Sequence, residues 1–157
     1  MSEKNNKSGH WSQKNTNVRG ANGEPITMAG VLGEITWVLS QHRSHRYMFL
    51  ADLEWLVMPP VLAGQYRIFR TEEGPIGVAL WAYLSDKAEK RISEGLGRIA
   101  PVEWRSGTNL WIIDLIAPFG GDDKMIEELK SSVFKGQSFK YPKVTPDGQR
   151  TIVEDKG

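Results

Sequence analysis

Apolar and polar positions alternate with different periods along the chain, and the periods predict the elements. Met28, Val31, Leu32, Ile35, Val38 and Leu39 recur at helical spacing with Glu34 and Gln41 on the other side. Thr27 stands where an N-cap is needed, so a helix is predicted from Met28 to near His42. The stretch from Arg46 to Gly64 is rich in large apolar residues and poor in polar ones, which implies burial. It should hold a second helix from about Asp52 that stops before Pro59-Pro60.

Tyr66 to Thr71 and Gly77 to Leu84 are short, apolar and rich in aromatic or branched residues. The intervening Glu-Glu-Gly-Pro is turn chemistry, and the pair reads as an antiparallel hairpin. A polar helix is predicted from about Ser85 to Glu94. Leu110 to Ala117 is the most buried-looking strand, closed by Pro118-Phe-Gly-Gly121 and followed by a helix from about Asp122 to Lys135. Phe139 to Val144 and Thr151 to Glu154 flank Pro146-Asp-Gly-Gln149, a second hairpin. Helices and a mainly antiparallel sheet in this order indicate an α+β domain of two or three layers. Residues 1–25 carry Asn, Ser, Lys and Gly with almost nothing apolar but Trp11 and Val18, and read as a flexible lead to a single domain over residues 26–157.

Composition narrows the chemistry. Lys and Arg number 20 against 19 Asp and Glu, so no overall field favours nucleic acid or an anionic membrane. The chain has no cysteine, which excludes disulfides, thiolate zinc sites and a cysteine nucleophile. No apolar run has the length of a signal peptide or a membrane span, and the expected location is the cytoplasm.

Asp114 is the most informative residue. Strict alternation places it on one strand face with Ile112 and Ile116, where an unpaired carboxylate would cost several kcal/mol, so a partner is expected beside it. A satisfied structural Asp and a catalytic one both fit that expectation. His42 and His45 bracket the end of the first helix in Gln41-His-Arg-Ser-His-Arg46, and His10 lies in the N-terminal lead. A histidine at a helix C-terminus is an ordinary dipole and capping partner, a reading that suits His42. His45, just beyond the helix, is the candidate general base, with a carboxylate to orient it. Asp122 and Asp123 read as helix caps in the turn where backbone N–H groups would otherwise hold a phosphate. Of the six tryptophans, Trp37, Trp55, Trp81, Trp104 and Trp111 fall in apolar segments and read mainly as core, with one or two available to line an apolar slot.

Five segments, in order and with similar spacing, resemble one family: Gly33-Glu-Ile-Thr-Trp-Val-Leu-Ser40, His45-Arg46, Ala63-Gly-Gln-Tyr66, Trp81-Ala-Tyr-Leu-Ser85 and Trp111-Ile-Ile-Asp-Leu-Ile-Ala-Pro-Phe-Gly120. The family is that of the RTX toxin-activating lysine acyltransferases. The resemblance runs from about Gly33 to about Gly121, and the strand ending in Ile-Ala-Pro-Phe-Gly is its most specific part. It implies transfer of a fatty acyl group from acyl-carrier protein to internal lysines of an RTX protoxin before secretion, without metal or coenzyme A. It also implies His45 and Asp114 as catalytic residues, a fold like that of the GCN5-type N-acetyltransferases with a twisted sheet flanked by helices, and a homodimer. The chain departs from the family's pattern in its Asn-rich N-terminal extension, its early end after the second hairpin, and His42, where a small hydroxyl residue is familiar.

The mechanism expected from these residues has His45 Nε2 as the base and Asp114 on His45 Nδ1–H, with an acyl-histidine intermediate as the alternative. Arg67, Arg70, Lys130 and Lys135 are the basic residues available to an acidic carrier protein. Two other functions fit the same sequence: a coenzyme A-dependent N-acetyltransferase, or a non-catalytic module that binds the toxin. A hydrogen bond between His45 and Asp114 in an open groove distinguishes catalysis from binding, for which the two residues need not meet.

Overall fold

The computed structural model describes residues 27–157; the expected N-terminal lead and His10 lie outside the described residues. Helix α1 spans Met28–Gln41, and the Thr27 side chain accepts a hydrogen bond from the Gly30 N–H as an N-cap should. Its buried residues are Val31, Ile35, Val38 and Leu39, four of the six that the periodicity put on the core side.

The next segment departs from expectation. A 3₁₀ turn at Leu50–Asp52 leads into the short helix α2, Leu53–Leu56, and then into α3, Met58–Ala63, which contains both prolines. Pro59 and Pro60 lie in the first turn of α3, where a missing N–H costs nothing because those donors have no intrahelical acceptor. The helix expected from about Asp52 does stop before the prolines, at Leu56, but the prolines also open a further helix, α3. The expected burial also fails at the start of the segment: Tyr47, Phe49 and Leu50 are 79%, 79% and 81% exposed, while Leu56, Val57 and Val61 are buried.

Five strands follow: β1 (Tyr66–Thr71), β2 (Gly74–Leu84), β3 (Asn109–Ile116), β4 (Ser138–Val144) and β5 (Arg150–Lys156). They form one sheet in the order β1-β2-β3-β4-β5. The β1–β2 and β4–β5 hairpins are antiparallel as expected, β2–β3 is also antiparallel, and β3–β4 is parallel through a crossover that contains α5 (Asp122–Ser131). Helix α4 spans Asp86–Ser93, capped by the Ser85 hydroxyl, and a 3₁₀ turn at Pro101–Trp104 follows it.

Each face of the sheet is covered, giving three layers. Val78, Leu80, Ala82 and Leu84 of β2 pack with residues of α1, α2, α3 and α4, whereas Ala79 and Trp81 pack on the opposite face with Met125, Ile126 and Leu129 of α5 and with Phe134 and Phe139. Burial on both faces is why β2 reads as an unbroken apolar run. α5 ends at Ser131, short of the expected Lys135, and its N-cap is Gly121 in a left-handed conformation. Asp122 and Asp123 thus stand in the first turn, where they complement the helix dipole without making a side-chain cap.

Gln65, between α3 and β1, is 5% exposed, and its amide nitrogen donates to the carbonyls of Trp81 and Trp104 at 2.9 and 3.0 Å. Gln65→Leu leaves both buried carbonyls without that donor. It is expected to cost about 1–3 kcal/mol in denaturant unfolding at an unchanged m-value.

Candidate active site

His45 and Asp114 are 69 residues apart in sequence and joined by a hydrogen bond, His45 Nε2 to Asp114 Oδ2, of 2.6 Å. Two local features bring them together. After α1 the chain turns tightly, with the N–H groups of His45 and Arg46 both donating to the His42 carbonyl, so that His45 leans back over the sheet. On the sheet side, the β2–β3 register slips by one residue: Leu80 faces Asp114 while Trp81 faces Ile112, leaving Ile113 as a bulge.

The bulge corrects the expected face assignment. Ile112 pairs with Trp81 and joins the α5-side core, whereas Asp114 pairs with Leu80 and shares the α1 side with Ile116. Strict alternation fails at Ile113 because the extra residue shifts the pleat by one position. The expectation of a partner for Asp114 holds, and that partner is a histidine. The pair is not sealed, since the side chains of His45 and Asp114 are 15% and 21% exposed.

The orientation of the ring is the reverse of that expected. Asp114 binds Nε2, and Nδ1 of His45 lies 2.7 Å from Nδ1 of His42. The reason is geometric: Nε2 lies at the far end of the ring and reaches the sheet, whereas Nδ1, close to the backbone, meets the residue one turn back. With Asp114 ionised, the neutral ring of His45 carries its proton on Nε2, so Nδ1 accepts and His42 Nδ1–H donates. His42 does cap α1, its backbone N–H donating to the Leu39 carbonyl. Its side chain, however, belongs to the site, an involvement that its position three residues before His45 foreshadowed and that the capping reading missed.

Partial burial, and secondarily the neighbouring His45, hold the His42 pKa below the ordinary value of 6.5, with Asp114 opposing. A folded-state pKa below the unfolded one contributes stability above about pH 6.5 that is lost as pH falls through the lowered value. Acidification from about pH 7.5 to about pH 5.5 is therefore expected to lower the melting temperature of the wild type more than that of His42→Asn.

Beyond the single β3–β4 register pair, Trp111 with Lys140, the strands part. A cleft of about 330 Å³ opens there, lined by Ile113, Asp114, Tyr141, Lys143 and the Asp122–Asp123 pair among others. Of the basic residues considered for carrier docking, Arg67 pairs with Glu128, Arg70 with Glu34, and Lys130 with Glu127 and Asp155. Trp81, Trp104 and Trp111 are buried, while Trp37 is 46% exposed and lies with its ring centroid 6.1 Å from that of Phe119, in the turn after β3. No described helix is long and apolar enough to cross a membrane.

The sequence is similar to several known proteins. It is 29% identical to an uncharacterized protein of Synechocystis sp. over 78% of this chain and 84% of that one. It is 29% identical to the RTX-I toxin-activating lysine-acyltransferase of Actinobacillus pleuropneumoniae, over 76% of this chain and 69% of that one. With the protein-lysine myristoyltransferase of Escherichia coli it shares 27% identity over 74% of this chain and 70% of that one. The profile of the RTX toxin acyltransferase family matches residues 24–155, a span that holds α1, all of the sheet but the last residue of β5, and both members of the His45–Asp114 pair, and the chain belongs to that family.

Proposed function

We propose that this chain is a cytoplasmic lysine acyltransferase that moves a fatty acyl group from the thioester of acyl-carrier protein to internal lysines of an RTX protoxin, with His45 and Asp114 as its catalytic pair. The observation that carries the reading is the 2.6 Å hydrogen bond between His45 and Asp114 at a site open to solvent. A toxin-binding module has no need of that bond. In the reaction, the uncharged lysine amine attacks the thioester carbonyl, a C–N bond forms, the C–S bond breaks, and the amine proton ends on the departing sulfur. His45 supplies general base catalysis through Nδ1, and Asp114 holds Nε2–H and stabilises the imidazolium that forms. Both ring nitrogens of His45 are engaged, one by Asp114 and one by His42, so neither offers a free lone pair to the acyl carbon, and a proton reaches Nδ1 only by way of His42.

The cleft where β3 and β4 part is the proposed seat of the thioester arm, since Asp114 lines it. Asp122 and Asp123 line it as well, and their charges oppose a coenzyme A pyrophosphate at the start of α5. The exposed side chains of Tyr47, Phe49 and Leu50, in the loop after His45, supply apolar surface for an acyl chain or protoxin segment. Residues 26–157 as one acyltransferase domain, the GCN5-type architecture and a homodimer are parts of the same reading. The test offers the protein a lysine-bearing protoxin fragment with either a long-chain acyl-carrier protein or the same acyl-coenzyme A, and reads the fragment by intact mass. Acylation from the carrier protein alone is expected; acylation from coenzyme A alone would overturn the choice of donor.

A further inference from the structure

The contact between His42 and His45 places a second imidazole where the base of the pair would otherwise meet the substrate. The two Nδ1 atoms are 2.7 Å apart, with ring centroids 4.7 Å apart and planes inclined by 56°. One proton must lie between those nitrogens, and with Asp114 taking the Nε2–H of His45, that proton resides on His42. His42 Nε2 is then a bare lone pair. It has no hydrogen-bond partner among the described residues, and no buried side-chain nitrogen or oxygen among them lacks a partner, so this atom opens to solvent. Nδ1 of His45, by contrast, is covered.

We propose, building on the acyl-transfer reading above, that His42 is a catalytic residue and the terminal base of a three-member relay, Asp114–His45–His42. As the lysine nitrogen attacks the thioester carbonyl, its proton passes to His42 Nε2 while the Nδ1 proton of His42 passes to His45 Nδ1. His45 becomes an imidazolium held by Asp114, and His42 remains neutral with its proton moved from one nitrogen to the other. When the C–S bond breaks, His42 Nε2–H protonates the departing thiolate and the proton on His45 Nδ1 returns to His42. The enzyme ends as it began, and the products are the amide and the carrier thiol. Burial that holds the His42 pKa down keeps it neutral, the form in which it both donates and accepts. The charged or titratable groups acting on it are His45 and Asp114.

Two measurements test the relay. Long-range proton–nitrogen NMR of the wild type at about pH 7.5 is expected to show His45 protonated on Nε2 and His42 protonated on Nδ1. A His42 protonated on Nε2 cannot accept the lysine's proton and would overturn the relay, whatever the acyl donor proves to be. The kinetic test is His42→Asn, whose side-chain amide can still donate to His45 Nδ1 but cannot pass a proton on. If His42 relays, kcat falls by about 10²-fold or more while KM for the protoxin fragment and the melting temperature at pH 7.5 change little. A fully active His42→Asn enzyme would mean that His42 only orients His45, which overturns the relay but leaves the His45–Asp114 pair standing. A wild type that transfers no acyl group overturns the acyl-transfer reading itself.

Discussion

Replacing Asp114 by Asn, or His45 by Ala, is expected to lower kcat for protoxin acylation by about 10²–10⁴-fold while leaving the fold intact. Asn at position 114 keeps the shape of Asp but offers no charge to stabilise an imidazolium, and its amide can present an N–H to Nε2 and so favour the wrong tautomer. Ala at position 45 removes the base and leaves the 21%-exposed Asp114 to water. Because the two residues act as one unit, the double variant is expected to be no slower than the slower single variant within a few-fold. Additive losses would show that each acts by a separate route. Stopped-time intact-mass assays of the protoxin fragment give kcat for all three variants.

The second large effect is structural and lies at the C-terminal end of β2, an interior strand of the sheet. A Cβ on Gly107 would run into the carbonyl oxygen of Leu84 and sit 2.6 Å from Ser85 Cα, both backbone atoms that cannot rotate away. Gly107 N–H also donates to the Tyr83 carbonyl at 2.9 Å, so this loop is fastened to the end of β2 from which α4 departs. Gly107→Ala must push β2 and the loop apart, and is expected to cost about 3 kcal/mol or more, beyond the usual penalty of overpacking. The control is Gly33→Ala in α1, where a Cβ meets nothing within 4 Å; there the same substitution is expected to stabilise by about 0.5–1 kcal/mol. Opposite signs in urea unfolding check both. A Gly107→Ala protein as stable as the wild type would mean that the loop moves freely and does not brace β2.

Where local chemistry decided the structure, the sequence was legible. Thr27 and the helical spacing after it mark α1, the turn residues mark both hairpins, and the apolar run before Pro118 marks β3. What remained hidden depends on partners distant in sequence or on a slip of one residue. The bulge at Ile113 has no signature in Trp-Ile-Ile-Asp, yet it decides which face carries Asp114. Pro59 and Pro60 mark a break in either direction, and only packing of Pro60 and Val61 into the core makes them the start of α3. Asp114 as a carboxylate in need of a partner, and His45 as the histidine beyond α1, were both readable from residue type and position. Which nitrogen meets the carboxylate was not, because it follows from the tight turn that carries His45. That same turn gives His42 its role, and a spacing of three residues alone does not separate a cap from a contact.

The proposed mechanism needs His45 and Asp114 together for acyl transfer to lysine. Its most direct test is the intact mass of a lysine-bearing RTX protoxin fragment after incubation with long-chain acyl-carrier protein and the wild type, His45→Ala or Asp114→Asn, each with its melting temperature checked. One or more acyl masses on the fragment are expected with the wild type, and their near loss with both folded variants; full acylation by His45→Ala would contradict that mechanism.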